Sequence, residues 1–143
     1  MTLEISTDRA RLDVDAIYRF LSAESYWAHG VPRELVETSI EHSLCFGAFD
    51  GGAQAGFARV ITDYATFGYI ADVFVVESHR GRGVAKAIMR AIREHPELQR
   101  LRRWHLVTRD AHRLYEQFGF AALRSPERHM ESVIKNAYAQ VSS

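Results

Sequence analysis

One cysteine, three prolines and no apolar run of membrane length mark this chain of 143 residues by what they rule out. A lone Cys45 excludes an internal disulfide, so the fold must rest on its core, and a reducing cytoplasm is the expected location. The stretch after Met1 shows no basic segment followed by an apolar one, and no segment is apolar for long enough to span a bilayer. Neither secretion nor a membrane partner is expected. A net charge of zero argues against a general nucleic-acid binder, and the Arg100–Arg103 cluster reads most simply as an exposed connector. The chain has seven histidines but no HExxH, no cysteine pair and no Cys-His pair, so no metal site is expected. No GxSxG elbow is present either, and no Lys-Ser/Thr pair completes a Walker loop.

What is present is ordinary in bulk and uneven in detail. Apolar residues make up 47% and charged residues 25%, the balance of a soluble globular protein, and the length suits one domain over 1–143. Residues 1–79 carry twelve acids against five bases, whereas 80–113 carry ten bases against three acids. Two readings are open: a mixture of solvated faces, or a polyanionic ligand over the basic segment with a cationic one facing the acidic half.

Periodicity and punctuation divide the chain into short elements. Leu3–Ser6 reads as a strand, and Asp13 or Asp15 can open a helix with Val14, Ile17, Phe20 and Leu21 on one face. That helix should stop by Ser22–Ser25, followed by an aromatic connector, Tyr26–Val31. Pro32 is placed to start a second helix with Leu35, Val36 and Ile40 inward. Strands are expected over Leu44–Phe49 and Gln54–Thr62, joined by a hairpin turn at Asp50-Gly51-Gly52. After an Asp63–Thr66 turn comes a central strand, about Phe67–Val76, and then a helix that Pro96 ends. Arg103–Thr108 should be its parallel neighbour, because a helical crossover joins the two. Asp110 is expected to cap a short helix, Ala111–Phe118, with Ala111, Leu114 and Phe118 inward. Gly119 should end it in the left-handed region, with Phe120 opening a further strand. A last strand around His129–Ile134 and a polar tail complete the expected chain.

The chemistry gathers where the central strand runs into its helix, through His79-Arg80-Gly81-Arg82-Gly83. A helix start leaves amide N–H groups unpaired and carries the positive end of the helix dipole, and glycines let a ligand approach them. A phosphate-binding turn and a plain surface turn are the two readings of this stretch alone. Lys86 stands where a dinucleotide fingerprint needs a small residue, and the region about 20 positions on is basic rather than acidic. Arg80-Gly81-Arg82-Gly83-Val84-Ala85 instead has R-x-x-G-x-A spacing. Downstream, Ala111-His112-Arg113-Leu114-Tyr115 leads into Phe118-Gly119-Phe120, an A-x-x-L-Y-x-x-x-G-F pattern.

The two segments, in this order, resemble the GNAT superfamily of acyl-CoA-dependent N-acyltransferases over about Phe67–Phe120. The resemblance implies an α/β fold with a mixed, mostly antiparallel sheet, helices on both faces, and a splayed parallel strand pair holding the cofactor. It implies acetyl-CoA as acyl donor, coenzyme A as product, and direct attack by a primary amine. It places the pyrophosphate on Arg80, Gly81, Arg82, Gly83, Val84, Ala85 and Lys86, and the pantetheine and carbonyl oxygen on the backbone of Val73, Phe74 and Val75. Thr108 stands where many relatives have Asn near the cofactor. Tyr115 is implied as the acid that protonates the leaving sulfur; alone, it could equally be a tyrosine at the edge of the core.

The family's members differ in their general base, so the resemblance does not name one. Asp72 is the first candidate, since a carboxylate in an apolar strand must meet a cleft or a partner; a structural ion pair with an arginine is the other reading. By position, the acceptor mouth would draw on Glu24, Tyr26, Trp27, His29, Asp63 and Tyr64, which suit a small cationic amine. Tyr26 and Trp27 could also simply cover the end of the first helix. The acceptor could be a small molecule or a peptide amine, and a homodimer is open. The competing functional reading is a non-catalytic acyl-CoA binding or sensing module; a nucleotide-binding regulator is a more distant one.

Overall fold

A computed structural model describes residues 1–139. Its centre is a five-stranded sheet in sequence order: β1 (Leu3–Ser6), β2 (Leu44–Asp50), β3 (Ala53–Thr62), β4 (Phe67–Val75) and β5 (Arg103–Leu106). The first three pairings are antiparallel and β4–β5 is parallel, so the sheet is mixed and mostly antiparallel. The helices are α1 (Val14–Arg19), α2 (Arg33–Glu41), α3 (Val84–Glu94) and α4 (His112–Glu116). Asp13 starts α1 by accepting from the Ala16 amide, and a π-helical turn over Phe20–Glu24 carries it to its stop at Ser25.

Strand alternation sends side chains to two apolar clusters, one per face. Phe46, Ala48, Ala58, Val60 and Ile70 pack with Val84, Ile88, Met89 and Ile92 of α3. Cys45, Phe57 and Phe74 pack on the other side with Ile17 of α1, Leu21 of the π-helical turn, and Val36 and Ile40 of α2. Ile70 and Phe74 are four residues apart and would share a face in a regular strand, yet they enter opposite clusters. The register with β3 explains this: Arg59 pairs with Ala71 and Phe57 with Phe74, so β4 carries one extra residue opposite Ala58. Asp72, at φ 56°, sits in that bulge. The bulge turns the end of β4 over, as an inserted residue must.

Several expectations are corrected here. Leu35 is exposed, because only Val36 and Ile40 of α2 fall on its buried stripe. Asp110 does not cap α4; the Thr108 hydroxyl accepts from the Ala111 amide instead. Gly119 takes the left-handed conformation at φ 90°, and the Phe120 and Gly119 amides bond back to Tyr115 and Glu116, a Schellman ending. Phe120 opens no strand, however, and His129–Ile134 pairs with none among the described residues. Met130, Val133 and Ile134 are all exposed, so the apolar side chains of that segment meet no core that would hold it in a ladder. The expected polar tail lies partly outside the described residues. Among those residues no helix is long and apolar enough to cross a membrane.

Candidate functional site

The site is set by where β4 and β5 part. They pair from Phe67–Arg103 to Ile70–Leu106, and no pairing continues past Leu106. From Ala71 to Val75 the β5-facing side of β4 therefore has no strand partner, and Val73, Phe74 and Val75 border the opening. β4 then leads through Glu77–His79 into the glycine turn and α3.

The turn is built to leave donors open. Gly81 and Gly83 have φ 73° and 82°, conformations that a side chain would strain, and no atom lies within 4 Å of where their Cβ atoms would be. Gly83 is the N-cap of α3 and supplies no side-chain cap, and the first turn of α3 holds no acid. The first intrahelical bond is donated by Ala87 to the Gly83 carbonyl, so the amides before it in α3 have no helical partner. A cavity of about 410 Å³ lies here, lined by Val75, His79, Arg80, Gly81, Gly83, Val84, Ala85, Lys86 and Leu114. The Arg80 side chain donates to the Val75 carbonyl, tying the turn to the end of β4. His79 bonds Asp50 at 2.9 Å, tying it to the β2–β3 hairpin. Arg82 and Lys86 are exposed on the same turn. Open amides, room above two glycines and unattached cations fit a pyrophosphate.

Tyr115 stands at the other side of the opening. The residue is 8% exposed, its ring meets Phe120 edge-on at 6.2 Å, and burial pushes its phenol up to about 12. The hydroxyl makes no side-chain hydrogen bond among the described residues and is not sealed off. Tyr115 and Thr108 both line a second cavity, of about 680 Å³, along the outer side of β5. Leu114, the residue before Tyr115, lines the glycine-turn cavity, so α4 stands between the two.

Asp72 has both oxygens engaged. Oδ2 accepts from Arg59 Nε at 2.9 Å, with both side chains largely buried, and Oδ1 accepts from Trp27 Nε1 at 2.8 Å. Of the two readings open for Asp72, the geometry shows the ion pair, with each oxygen accepting one hydrogen bond. Arg59 also donates to Ser43, and its lone charge in an otherwise apolar strand was the sequence signal for this pair.

The aromatic connector is a bridge rather than a loose cover. Phe20 stacks on Phe74 at 4.1 Å, Trp27 tilts against Phe20, and Tyr26 meets Trp27 edge-on at 5.0 Å. Tyr26 in turn lies under the Arg109 guanidinium at 3.9 Å and accepts from the Arg109 amide. The connector thus reaches from the β4 bulge to the loop after β5, across the opening. Arg109 carried no sequence signal, because its partner lies 83 positions away.

The rest of the expected acceptor lining is not gathered here. Glu24 and His29 are exposed and make no side-chain hydrogen bond or ion pair among the described residues. Tyr64 sits before β4 begins; from Phe67 to Asp72 is roughly 17 Å of strand at the usual rise. Asp63 accepts from the Ala65, Thr66 and Phe67 amides and from the Thr66 hydroxyl. The Thr66 hydroxyl and these amides hold its carboxyl well below the usual range. It caps its own turn. Among the described residues no three His, Cys, Asp or Glu side chains gather as metal ligands.

Comparison with known proteins places the chain in a family. The family model for the acetyltransferase (GNAT) family matches residues 14–120. A Gibberella zeae protein whose name assigns it to the acetyltransferases is 32% identical over 133 residues, covering 78% of this chain and 74% of that one. A crystal structure of a Xanthomonas campestris pv. campestris protein assigned to the GNAT family is 48% identical, covers 98% of this chain and 99% of that one, and superposes with a TM-score of 0.95. A Clostridium acetobutylicum protein solved with acetyl-CoA shares the fold, at 16% identity, TM-score 0.62, and coverage of 90% and 100%.

Proposed function

This chain belongs to the GNAT acetyltransferase family, and from that premise we propose that it moves an acetyl group from acetyl-CoA to a primary amine by direct attack. The observation that carries the reading is the parting of β4 from β5 beside an uncapped, glycine-led helix start. The acetyl-CoA in the Clostridium fold neighbour supports it. The reading keeps the expected cytoplasmic location, since Cys45 is free and buried.

Residue roles follow from the chemistry. The amides from Gly81 to Lys86 hold the pyrophosphate, with Arg80, Arg82 and Lys86 supplying positive field. Backbone groups of Val73, Phe74 and Val75 run along the pantetheine arm, and an amide freed on the β5 side receives the carbonyl oxygen as it gains charge. The thioester supplies an activated acetyl group. An ammonium acceptor first loses a proton to a carboxylate, imidazole or water chain. The nitrogen then forms its bond to the carbonyl carbon, the carbon–sulfur bond breaks, and sulfur leaves with the electron pair. Tyr115 gives that sulfur a proton. Burial keeps the phenol protonated, and the same dry surroundings raise the proton affinity of the departing thiolate, so donor and acceptor shift together. Thr108 starts α4 and so positions Tyr115. Asp72 acts through the bulge: with Arg59 and Trp27 it fixes the turn-over of β4 that presents Val73–Val75. Tyr26 and Trp27 brace the opening, from the β4 bulge through Asp72 to the loop after β5 through Arg109.

A free-thiol assay with acetyl-CoA over a panel of primary amines tests this reading. Tyr115→Phe should lower kcat about a hundredfold while leaving coenzyme A affinity unchanged. An unchanged kcat with chemistry limiting would remove the acid role. Tight acetyl-CoA binding without turnover of any amine would favour a binding or sensing module.

A further inference from the structure

β5 ends the sheet, and no strand covers its outer edge among the described residues. The 129–134 segment, which sequence pattern marks as a strand, instead runs past unpaired, with the His129 ring stacked on His105 at 6.1 Å. Between them lies the cavity of about 680 Å³. Its walls are apolar along Trp104, Leu106 and Phe120; its carboxylates are Glu116 and Glu131, its imidazoles His105, His112 and His129, and it has no lysine or arginine. Tyr115, nine-tenths buried and with its hydroxyl unpartnered, lines the same space.

We propose that this cavity takes the acceptor, and that it selects a primary ammonium on an uncharged, apolar body. The inference rests on the acetyl-transfer reading and names the substrate class of that site. An ammonium gains from two carboxylates with no lysine or arginine beside them, and an apolar body gains by leaving water against Trp104 and Phe120. An anionic body would lose its hydration beside two carboxylates with no lysine or arginine to replace it, so phosphorylated amino sugars and acidic amino acids are disfavoured. Placement supports the assignment. Leu114 faces the glycine-turn cavity and Tyr115 faces this one, so an amine entering here reaches the residue assigned to the leaving sulfur from the side opposite the pyrophosphate.

Calorimetry with phenethylamine as probe, on the full chain saturated with coenzyme A, reads the site without requiring turnover. The parent should bind it saturably, and the paired variant Glu116→Gln/Glu131→Gln, which neutralises both carboxylates, should bind at least about tenfold more weakly. Phenylacetate, the anionic counterpart, should give no saturable heat. Ala122→Trp, which adds bulk at the cavity wall, should abolish phenethylamine binding and leave coenzyme A affinity at the parent value. Should that variant not fold, the two carboxamide changes carry the test. Absence of phenethylamine binding to the parent, equal binding of phenylacetate, or affinity unchanged in every folded variant would overturn the assignment. Selective binding of phenethylamine without thiol release from acetyl-CoA for any amine would instead refute the transfer reading and leave the cavity a cation site.

Discussion

The turns at the two ends of β4 have the same raw material and opposite outcomes. Each presents a run of backbone N–H groups beside charged and polar side chains. At the entry, Asp63 takes three of those amides and the Thr66 hydroxyl for itself. At the exit, the run from Gly81 to Lys86 has no carboxylate and no capping side chain, and the space above its glycines is open. An Asp at the first position of a turn closes it on itself; glycines and arginines at the corresponding place leave it open to an anion. A charged turn is therefore a binding site only when its donors are left over.

That contrast can be tested from the middle of β4 outward. The largest stability effect belongs to the bulge between the two turns. Asp72→Ala should cost about 3 kcal/mol in urea unfolding, because it strands the largely buried Arg59 guanidinium and puts Ala at a positive φ. Asp72→Asn should cost less, since Asn tolerates that φ and keeps an acceptor for Trp27. Equal losses would mean that the bulge is held by packing instead.

The next effect is alkaline. Burial pushes the Cys45 thiol up to about 11 and the Tyr115 phenol up to about 12, from ordinary values of 9.0 and 10.0. Above pH 9 the unfolded chain ionises first and is favoured. Stability present at neutral pH should therefore fall between about pH 9 and 12, by about 2–3 kcal/mol for each group. Cys45→Ala should remove the earlier part of that fall, read by thermal melts across the range; an unchanged profile would contradict it.

The smallest effect sharpens the entry turn. Asp63 is held below its ordinary range, so its contribution is present above the unfolded value and is lost as pH falls below it. Asp63→Asn should lower the melting midpoint slightly at neutral pH and flatten its decline in acid, with no change in coenzyme A affinity. A changed affinity would mean that the two turns are coupled.

What the sequence made legible follows the same division. Signals confined to a few neighbouring residues were readable: the Asp50-Gly51-Gly52 hairpin, the stop at Pro96, the left-handed Gly119, and the R-x-x-G-x-A turn opening α3. Each depends on local backbone preference or on helix-end donors. Features made by distant partners were not. Asp110 precedes α4 and is a common cap, but the Thr108 hydroxyl accepts from the Ala111 amide in its place. The strands expected at Phe120 and His129–Ile134 depended on a neighbouring edge, not on their own apolar content. The acceptor side shows the limit most clearly. Tyr26, Trp27 and Asp72 do come together, but through Arg59, a lone charge in an apolar strand, and through Arg109, whose importance only the folded contacts reveal. Glu24, His29 and Tyr64 share a place in the order of elements with those residues, and order alone does not bring side chains into contact.

The central claim is that the donors left open between Gly81 and Lys86 hold the phosphates of coenzyme A. Titration calorimetry of coenzyme A against the parent, Gly83→Val and Ala85→Glu measures it directly. Gly83→Val places a branched side chain at φ 82° over the open amides, and Ala85→Glu sets a carboxylate in the first turn of α3. Both folded variants should bind coenzyme A at least about a hundredfold more weakly than the parent, because each removes the approach or opposes the charge that the turn is built to accept. Either variant, folded and binding coenzyme A as tightly as the parent, would contradict the claim.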